Sequence, residues 1–288
     1  MARALPPPVL DDAPLAPGLY VVATPIGNLR DITLRALDVL NRADLVLAED
    51  TRVAGKLLQA FGLTAKLERC DEHGETRALP RALAILADGG RVALVSDAGT
   101  PLVSDPGFRL VREAAAAGHP VRPIPGASAL LAGLSVAGLP TDRFLFAGFP
   151  PPKSAARKTF LAEVAGVRAT LVFFEGGSRL ASSLADMAQV LGGEREAVVC
   201  RELTKLYETV VRGRLADLAA DSRFEAPKGE IVVLVGPGRE TEATPADADA
   251  ALAEALARLK PADAAAEVAR ALGLPRRELY RRALELKR

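Results

Sequence analysis

The chain has 288 residues, enough for about two domains of ordinary size. At 49% apolar and 25% charged it falls in the globular range, which excludes a disordered, collagen-like or disulfide-built chain. Its 37 Lys and Arg nearly balance 36 Asp and Glu, so a net charge of +1 excludes a protein basic all over but not a local basic patch. Cys70 and Cys200 stand alone and read as small core or near-surface residues, and His73 and His119 lie far apart, so neither a cysteine zinc site nor a histidine-based metal site is expected. No apolar run approaches the roughly 20 residues that cross a bilayer. Residues 1–17 are Pro-rich and lack the apolar stretch of a signal peptide, so they read as the flexible tail of a cytoplasmic protein. With 4% aromatics and no Trp, a platform stacking many bases is disfavoured.

Strand and helix signals alternate from residue 19 to residue 235. The apolar, β-branched run 19–24 reads as a buried strand, with a turn signal at 25–28. An amphipathic helix then starts at Asp31, carrying Leu34, Leu37 and Leu40 at helical spacing. A strand at 44–48 and a helix with Leu57, Leu58 and Phe61 come next. A helix at 78–87, a strand at 91–96 and a helix at 108–117 complete a parallel α/β series. Near residue 125 a second series begins, with strands at 144–148, 170–174, 197–201, 207–212 and 230–235. The last three are closely linked, which predicts antiparallel pairing. Beyond 240 the chain turns Ala-rich and acidic, with Leu252, Leu256 and Leu259 on one helical face, stopped at Lys260-Pro261. A helix at 262–272, a turn at Gly273 and a basic helix after Pro275 make a helix-turn-helix pattern; the last sixteen residues hold six bases and two acids. The expected division is a tail at 1–17, α/β domains at 18–124 and 125–240, and a helical extension at 241–288.

Ligands of parallel α/β sheets bind outside the carboxyl ends of strands, so the loops there matter most. Three are dense in Gly, Pro and small polar residues: 24–28, 49–52 and Ser96-Asp-Ala-Gly-Thr-Pro101, the last running on to Gly107. None is a Walker loop, a full Gly-x-Gly-x-x-Gly fingerprint or a Gly-x-Ser-x-Gly elbow. Two options remain: a ligand held by backbone and small side chains, or Mg²⁺ held by Glu49, Asp50, Asp97 and Asp105.

Ordered runs at 20–33, 48–52, 95–107, 124–128, 139–144, 201–205 and 228–232 make residues 19–239 resemble the tetrapyrrole methylase-like, S-adenosyl-L-methionine-dependent methyltransferases. Within that superfamily they resemble the ribosomal small-subunit RNA 2′-O-methyltransferases. One departure is visible: that family usually carries Glu-Ser-Pro-His-Arg where this chain has Glu175-Gly-Gly-Ser-Arg179, so no histidine is available there as a base, and the paired glycines predict a more mobile turn.

The resemblance implies two α/β domains with S-adenosyl-L-methionine in the cleft between them. It places Pro25, Gly99, Thr100, Val103, Ser128, Ala129, Phe174, Leu203, Gly229 and Glu230 around the cofactor. It also implies a homodimer acting on a cytidine ribose in the decoding region of small-subunit (16S) rRNA, free or in the assembled subunit. The candidates for handling the hydroxyl proton or stabilising its oxygen are Glu49, Asp50, Arg52, Asp97 and Lys205. Asp50 and Arg52 equally fit a helix start, and Lys205 equally fits a surface lysine. For RNA phosphates, the Pro-rich stretch 150–158 reads as an open loop offering Lys153, Arg157 and Lys158, and the terminal helix offers Arg276, Arg277, Arg281 and Arg282. The competing readings are a tetrapyrrole or other small-molecule methyltransferase, a carboxylate-metal phosphohydrolase and a non-catalytic RNA-binding protein.

Overall fold

The computed structural model describes residues 10–11, 13–71, 74–238, 245–272 and 274–287. Most of the tail, His73, the junction at 240 and the turn at Gly273 lie outside the described residues. The chain falls into two compact units divided between Gly238 and Arg239.

The first half of the larger unit alternates strand and helix. Its elements are β1 (Gly18–Val22), α1 (Leu34–Arg42), β2 (Leu45–Ala48), α2 (Thr51–Ala60), β3 (Leu67–Arg69), α3 (Glu75–Ala87), β4 (Arg91–Val95), α4 (Phe108–Ala116) and β5 (Val121–Ile124). The strands form one sheet in the order β3-β2-β4-β1-β5, parallel throughout. Successive side chains point to opposite faces, and both faces are covered. Leu19, Leu45, Leu47, Val92 and Leu94 pack beneath α3 and α4, while Tyr20, Val22, Val46, Ala93 and Val95 pack beneath α1 and α2. Each fully buried Val or Leu contributes roughly 1.5–3 kcal/mol.

The second half contains α5 (Ala129–Ala137), β6 (Phe144–Gly148), α6 (Ser154–Ala165), β7 (Thr170–Gly176), α7 (Leu180–Met187), β8 (Glu196–Arg201), β9 (Thr209–Arg214), α8 (Leu215–Ala219) and β10 (Glu230–Val235). Its sheet runs β6-β7-β10-β8-β9, parallel at β6/β7 and antiparallel elsewhere. One face, with Phe173, Val199 and Val233, packs on α6, α7 and α8. The other, with Val172, Val198, Cys200, Val232 and Leu234, packs on α5 and receives Ile26 from the loop after β1. Ile26 therefore joins the two halves.

The smaller unit is α9 (Pro245–Leu256), α10 (Pro261–Leu272) and α11 (Arg276–Leu286) around Leu252, Ala264, Val268, Leu279 and Ala283.

Some elements differ from the expectation. α1 starts three residues later than Asp31, because the Thr33 hydroxyl accepts the Ala36 N–H at 3.1 Å and caps it there. Residues Leu29–Asp31 form a separate 3₁₀ turn, and Leu34 stays 63% exposed rather than joining the core face. The stretch 150–158 is not an open loop throughout. From Ser154 it is the first turn and more of α6.

Candidate functional site

The loops at the carboxyl ends of β1 and β4 are tied together. Thr24 N–H donates to Gly99 O at 2.8 Å and Gly99 N–H donates back to Thr24 O at 3.0 Å. Gly99 holds φ +82°, where a side chain is disfavoured, so its backbone can turn against the space beyond. The Ser128 hydroxyl caps α5 by accepting the Leu131 N–H at 3.5 Å. Thr100 Oγ1 donates to Ala127 O at 3.3 Å and fixes the wall between them.

These loops and the second sheet enclose a hollow of about 240 Å³. It is lined by Gly99, Thr100, Val103, Ser128, Ala129, Phe174, Leu203 and Glu230 of the expected cofactor residues, and by Asp97. Ile26, Ala98, Ser104, Asp105, Phe149, Glu175, Cys200, Ile231 and Val232 complete it. Pro25 and Gly229, also expected at the cofactor, do not line it. Pro25 faces a neighbouring hollow, and Gly229, at φ +102°, lies against the Glu202 side chain. The aromatic wall is edge-packed, with the Phe174 ring 4.7 Å from that of Phe146 and 5.6 Å from that of Phe149.

Strain concentrates around this hollow. Among the described residues, the only non-glycine residues with left-handed φ are Leu102 (76°), Ser104 (66°), Glu202 (54°) and Thr204 (68°), in the two loops beside it. Each such residue costs of order 1–3 kcal/mol, which the surrounding packing must hold.

The charges lining the hollow are all acidic: Asp97, Asp105, Glu175 and Glu230. Glu175 is buried and paired with Arg179 at 2.9 Å, and it also takes the Ser183 hydroxyl. Burial pushes the Asp105 carboxyl above its ordinary pKa, with Asp97 adding repulsion. Glu49 does not line the hollow; its pKa is raised by burial and then by Asp97 and Asp105 beside it.

Asp50 and Arg52 form the start of α2. The Asp50 carboxylate accepts the Arg52 N–H at 2.8 Å and binds its guanidinium at 2.5 Å. Hydrogen bonds from Arg52 hold the Asp50 pKa far below the carboxylate range, which makes Asp50 a poor proton acceptor. Lys205 bridges Glu202 at 2.8 Å and Glu230 at 2.9 Å. Burial lowers its pKa, but these hydrogen bonds outweigh that and the ammonium is held charged.

The expected phosphate contacts divide. Arg157 is 2% exposed, with Nε on Asp186 at 2.8 Å and Nη1 on the Pro152 carbonyl at 3.2 Å, so it is a core residue and not a phosphate contact. Its position on the inner face of α6, not visible as such in the basic run, causes this. Lys153 is exposed, and Lys158 is half-buried at 3.5 Å from Asp186. In the smaller unit Arg276, Arg277 and Arg281 are exposed. Arg282 instead binds Asp249 at 2.6 Å, which ties α11 to α9.

Gly177 is buried under the Pro227 carbonyl, and a Cβ there would lie 1.6 Å from that oxygen. The glycine serves this close packing. Among the described residues, no group of three or more His, Cys, Asp and Glu is arranged to hold a metal ion, and no helix is long and apolar enough to cross a membrane.

Residues 18–219 match the family Tetrapyrrole (Corrin/Porphyrin) Methylases. The chain belongs to the tetrapyrrole methylases. Residues 242–287 match the RsmI C-terminal HTH domain. Among similar tetrapyrrole methylases, the ribosomal RNA small subunit methyltransferase I of Mesorhizobium japonicum is 52% identical, over 95% of this chain and 94% of the relative. The protein of that name from Erythrobacter litoralis is 54% identical over 95% and 97%, and that from Escherichia coli O157:H7 46% over 93% and 94%. The fold matches the uroporphyrin-III-C-methyltransferase of Thermus thermophilus with a TM-score of 0.54 at 24% identity, over 76% of this chain and 93% of that one. A diphthine synthase matches with a TM-score of 0.59 at 20% identity, over 76% and 89%.

The methyl donor of tetrapyrrole methylases of this kind is S-adenosyl-L-methionine. The residues present fit it. The donor carries a sulfonium and an ammonium against one carboxylate, and the hollow offers acids and no base. Phe174, Leu203 and Ile231 supply the apolar slot an adenine needs.

Proposed function

We propose that this methyltransferase transfers a methyl group from S-adenosyl-L-methionine to the 2′-hydroxyl of a cytidine in the decoding region of small-subunit rRNA. It acts in the cytoplasm, on the free RNA or the assembled small subunit, as a homodimer. The observation that carries the reading is the acid-lined apolar hollow at the carboxyl edge of the first sheet, in a chain whose relatives of the same length are named for small-subunit rRNA. The dimer is supported by the exposed apolar side chains Leu131, Leu206 and Tyr207.

S-adenosyl-L-methionine, when bound, would supply an electrophilic methyl group on a sulfonium. The chain has three tasks around that chemistry. The walls formed by Gly99, Thr100, Ser128 and Leu203 position and shield it, and alignment of this kind supplies much of a barrier reduction. Asp97 takes the hydroxyl proton, a role supported by its Oδ1, held by the Asp50 N–H at 3.0 Å, and by its position in the lining of the hollow. Lys205, clamped by two carboxylates, holds a fixed cation on Glu230, which lines the hollow. Phosphate contacts come from Lys153, Lys158, Arg276, Arg277 and Arg281.

Calorimetry with S-adenosyl-L-methionine tests the reading. Wild-type protein binds it, and Thr100→Trp, which fills the hollow, does not. Equal binding by both would overturn the placement of the cofactor.

A further inference from the structure

A second hollow, also of about 240 Å³, opens beside the first at the carboxyl ends of β1 and β4. Asp97 lines both. We propose that this second hollow seats the acceptor: one unstacked pyrimidine nucleoside of a single-stranded RNA segment, its base between the turn at Leu29 and helix α2. The proposal rests on the rRNA methyltransferase reading and adds the place of the substrate.

Three observations carry it. The first is the chemistry of the walls. Leu29, on the 3₁₀ turn after β1, is 42% exposed, and Val53, on α2, is 38% exposed, and both line the hollow with Leu57. Apolar side chains facing each other across an open slot suit a flat base, which brings its own faces out of water. The second is charge. Lys56 lines the hollow, while Arg30 and Arg52, the chain neighbours of Leu29 and Val53, are exposed. The Arg52 side chain stays 86% exposed even while paired with Asp50. The first hollow is lined by acids, as a cationic donor requires; the second has three cations on or next to its walls, as a phosphate backbone requires. The second hollow shares Asp97 and Arg52 is paired with Asp50, but it offers the cations that the first lacks.

The third observation is the junction. An acceptor oxygen must meet the methyl group at a wall common to donor and acceptor, and Asp97 is that wall. Gly27, which also lines the second hollow, lies under the alkyl chain of Lys205; a Cβ there would be 2.4 Å from Lys205 Cγ. The Lys205 ammonium in turn binds Glu230, a residue of the first hollow, at 2.9 Å. A carboxylate and an ammonium therefore both stand where the two spaces meet, one to accept a proton and one to attract an oxygen that is losing it.

The test uses full-length protein with Leu29→Trp and Val53→Trp. Both positions are partly exposed and outside the cores of the two sheets, so either variant can carry the result if the other fails to fold. Three quantities are read: S-adenosyl-L-methionine affinity by calorimetry, binding of a fluorescein-labelled single-stranded oligocytidine by anisotropy without cofactor, and kcat/KM on small ribosomal subunits. The expected result is donor affinity within about twofold of wild type, with oligocytidine affinity and kcat/KM both lower by about ten- to hundredfold. Trp variants that bind oligocytidine and methylate subunits like wild type would overturn the acceptor seat. Loss of donor binding in both variants would overturn the separation of the two hollows. Wild-type protein that transfers no methyl to small subunits, whatever the variants do, would instead overturn the function on which the seat depends.

Discussion

Asp105 is held in a hollow where its charge is costly, and that cost has a sign that can be read. Burial and then the nearby Asp97 raise its folded pKa above the ordinary 3.8. The folded protein therefore holds this proton more tightly than the unfolded chain does. Stability from this group is fully present below the ordinary value and is lost as pH rises through the raised one. Asp105→Asn removes that loss, so thermal denaturation should show a higher Tm than wild type at pH 7, with the gap closing below pH 3.8. A carboxylate kept at such a cost beside the donor hollow points to work on a cationic ligand, so the same variant should bind S-adenosyl-L-methionine more weakly. Gly177 shows the opposite kind of constraint. With the Pro227 carbonyl 1.6 Å from where a Cβ would stand, Gly177→Ala must displace the segment leading to Gly229 and Glu230. The expected loss is about 1–3 kcal/mol of stability in denaturant titration, together with weaker donor binding, because Glu230 lines the hollow.

Helix α6 separates charge that serves the core from charge that serves a surface. Arg157 and Asp186 are both buried, and Ser154 Oγ donates to the same carboxylate at 3.0 Å. Removing one member of such a pair strands the other, at about 3–5 kcal/mol. Arg157→Ala should therefore lower stability strongly in denaturant titration. Lys153→Ala should leave stability within about 0.5 kcal/mol and reduce the salt slope of RNA binding. Three bases without an acid in the run 150–158 hid this division, because the neutralising Asp186 arrives 29 residues later on α7. Other elements were hidden for related reasons. β3 is a three-residue edge strand, too short for any period to register, and α5 is apolar all round, so no helical stripe marks it. The strands β1, β4 and β10 were legible because both their faces are buried and β-branched. The loops that follow them were legible as a site because Gly, Pro and Asp gather at carboxyl ends of parallel strands. Phe149 could have been included by the same rule, since it directly follows β6. Cys200 and Val232 could not, since a strand residue facing a hollow looks in sequence like one facing a helix.

On the scale of the whole molecule, near-neutral charge conceals a division of labour. The basic residues Arg276, Arg277 and Arg281 lie on α11 in the smaller compact unit, while the acid-lined hollow lies in the larger one. Because the units are separate in their internal packing, deleting residues 239–288 should leave S-adenosyl-L-methionine affinity unchanged and lower the rate on small subunits by about tenfold or more, with a shallower salt dependence. An unchanged rate would remove the smaller unit from RNA recognition. The central claim is methyl transfer to a ribose of small-subunit RNA. Purified protein is incubated with unmodified small ribosomal subunits and S-adenosyl-L-methionine carrying a labelled methyl, and the digested nucleosides are resolved by mass spectrometry. The account predicts that the label appears as 2′-O-methylcytidine at one position, and only with the protein present. Label on a base, or no label in the RNA, would contradict it.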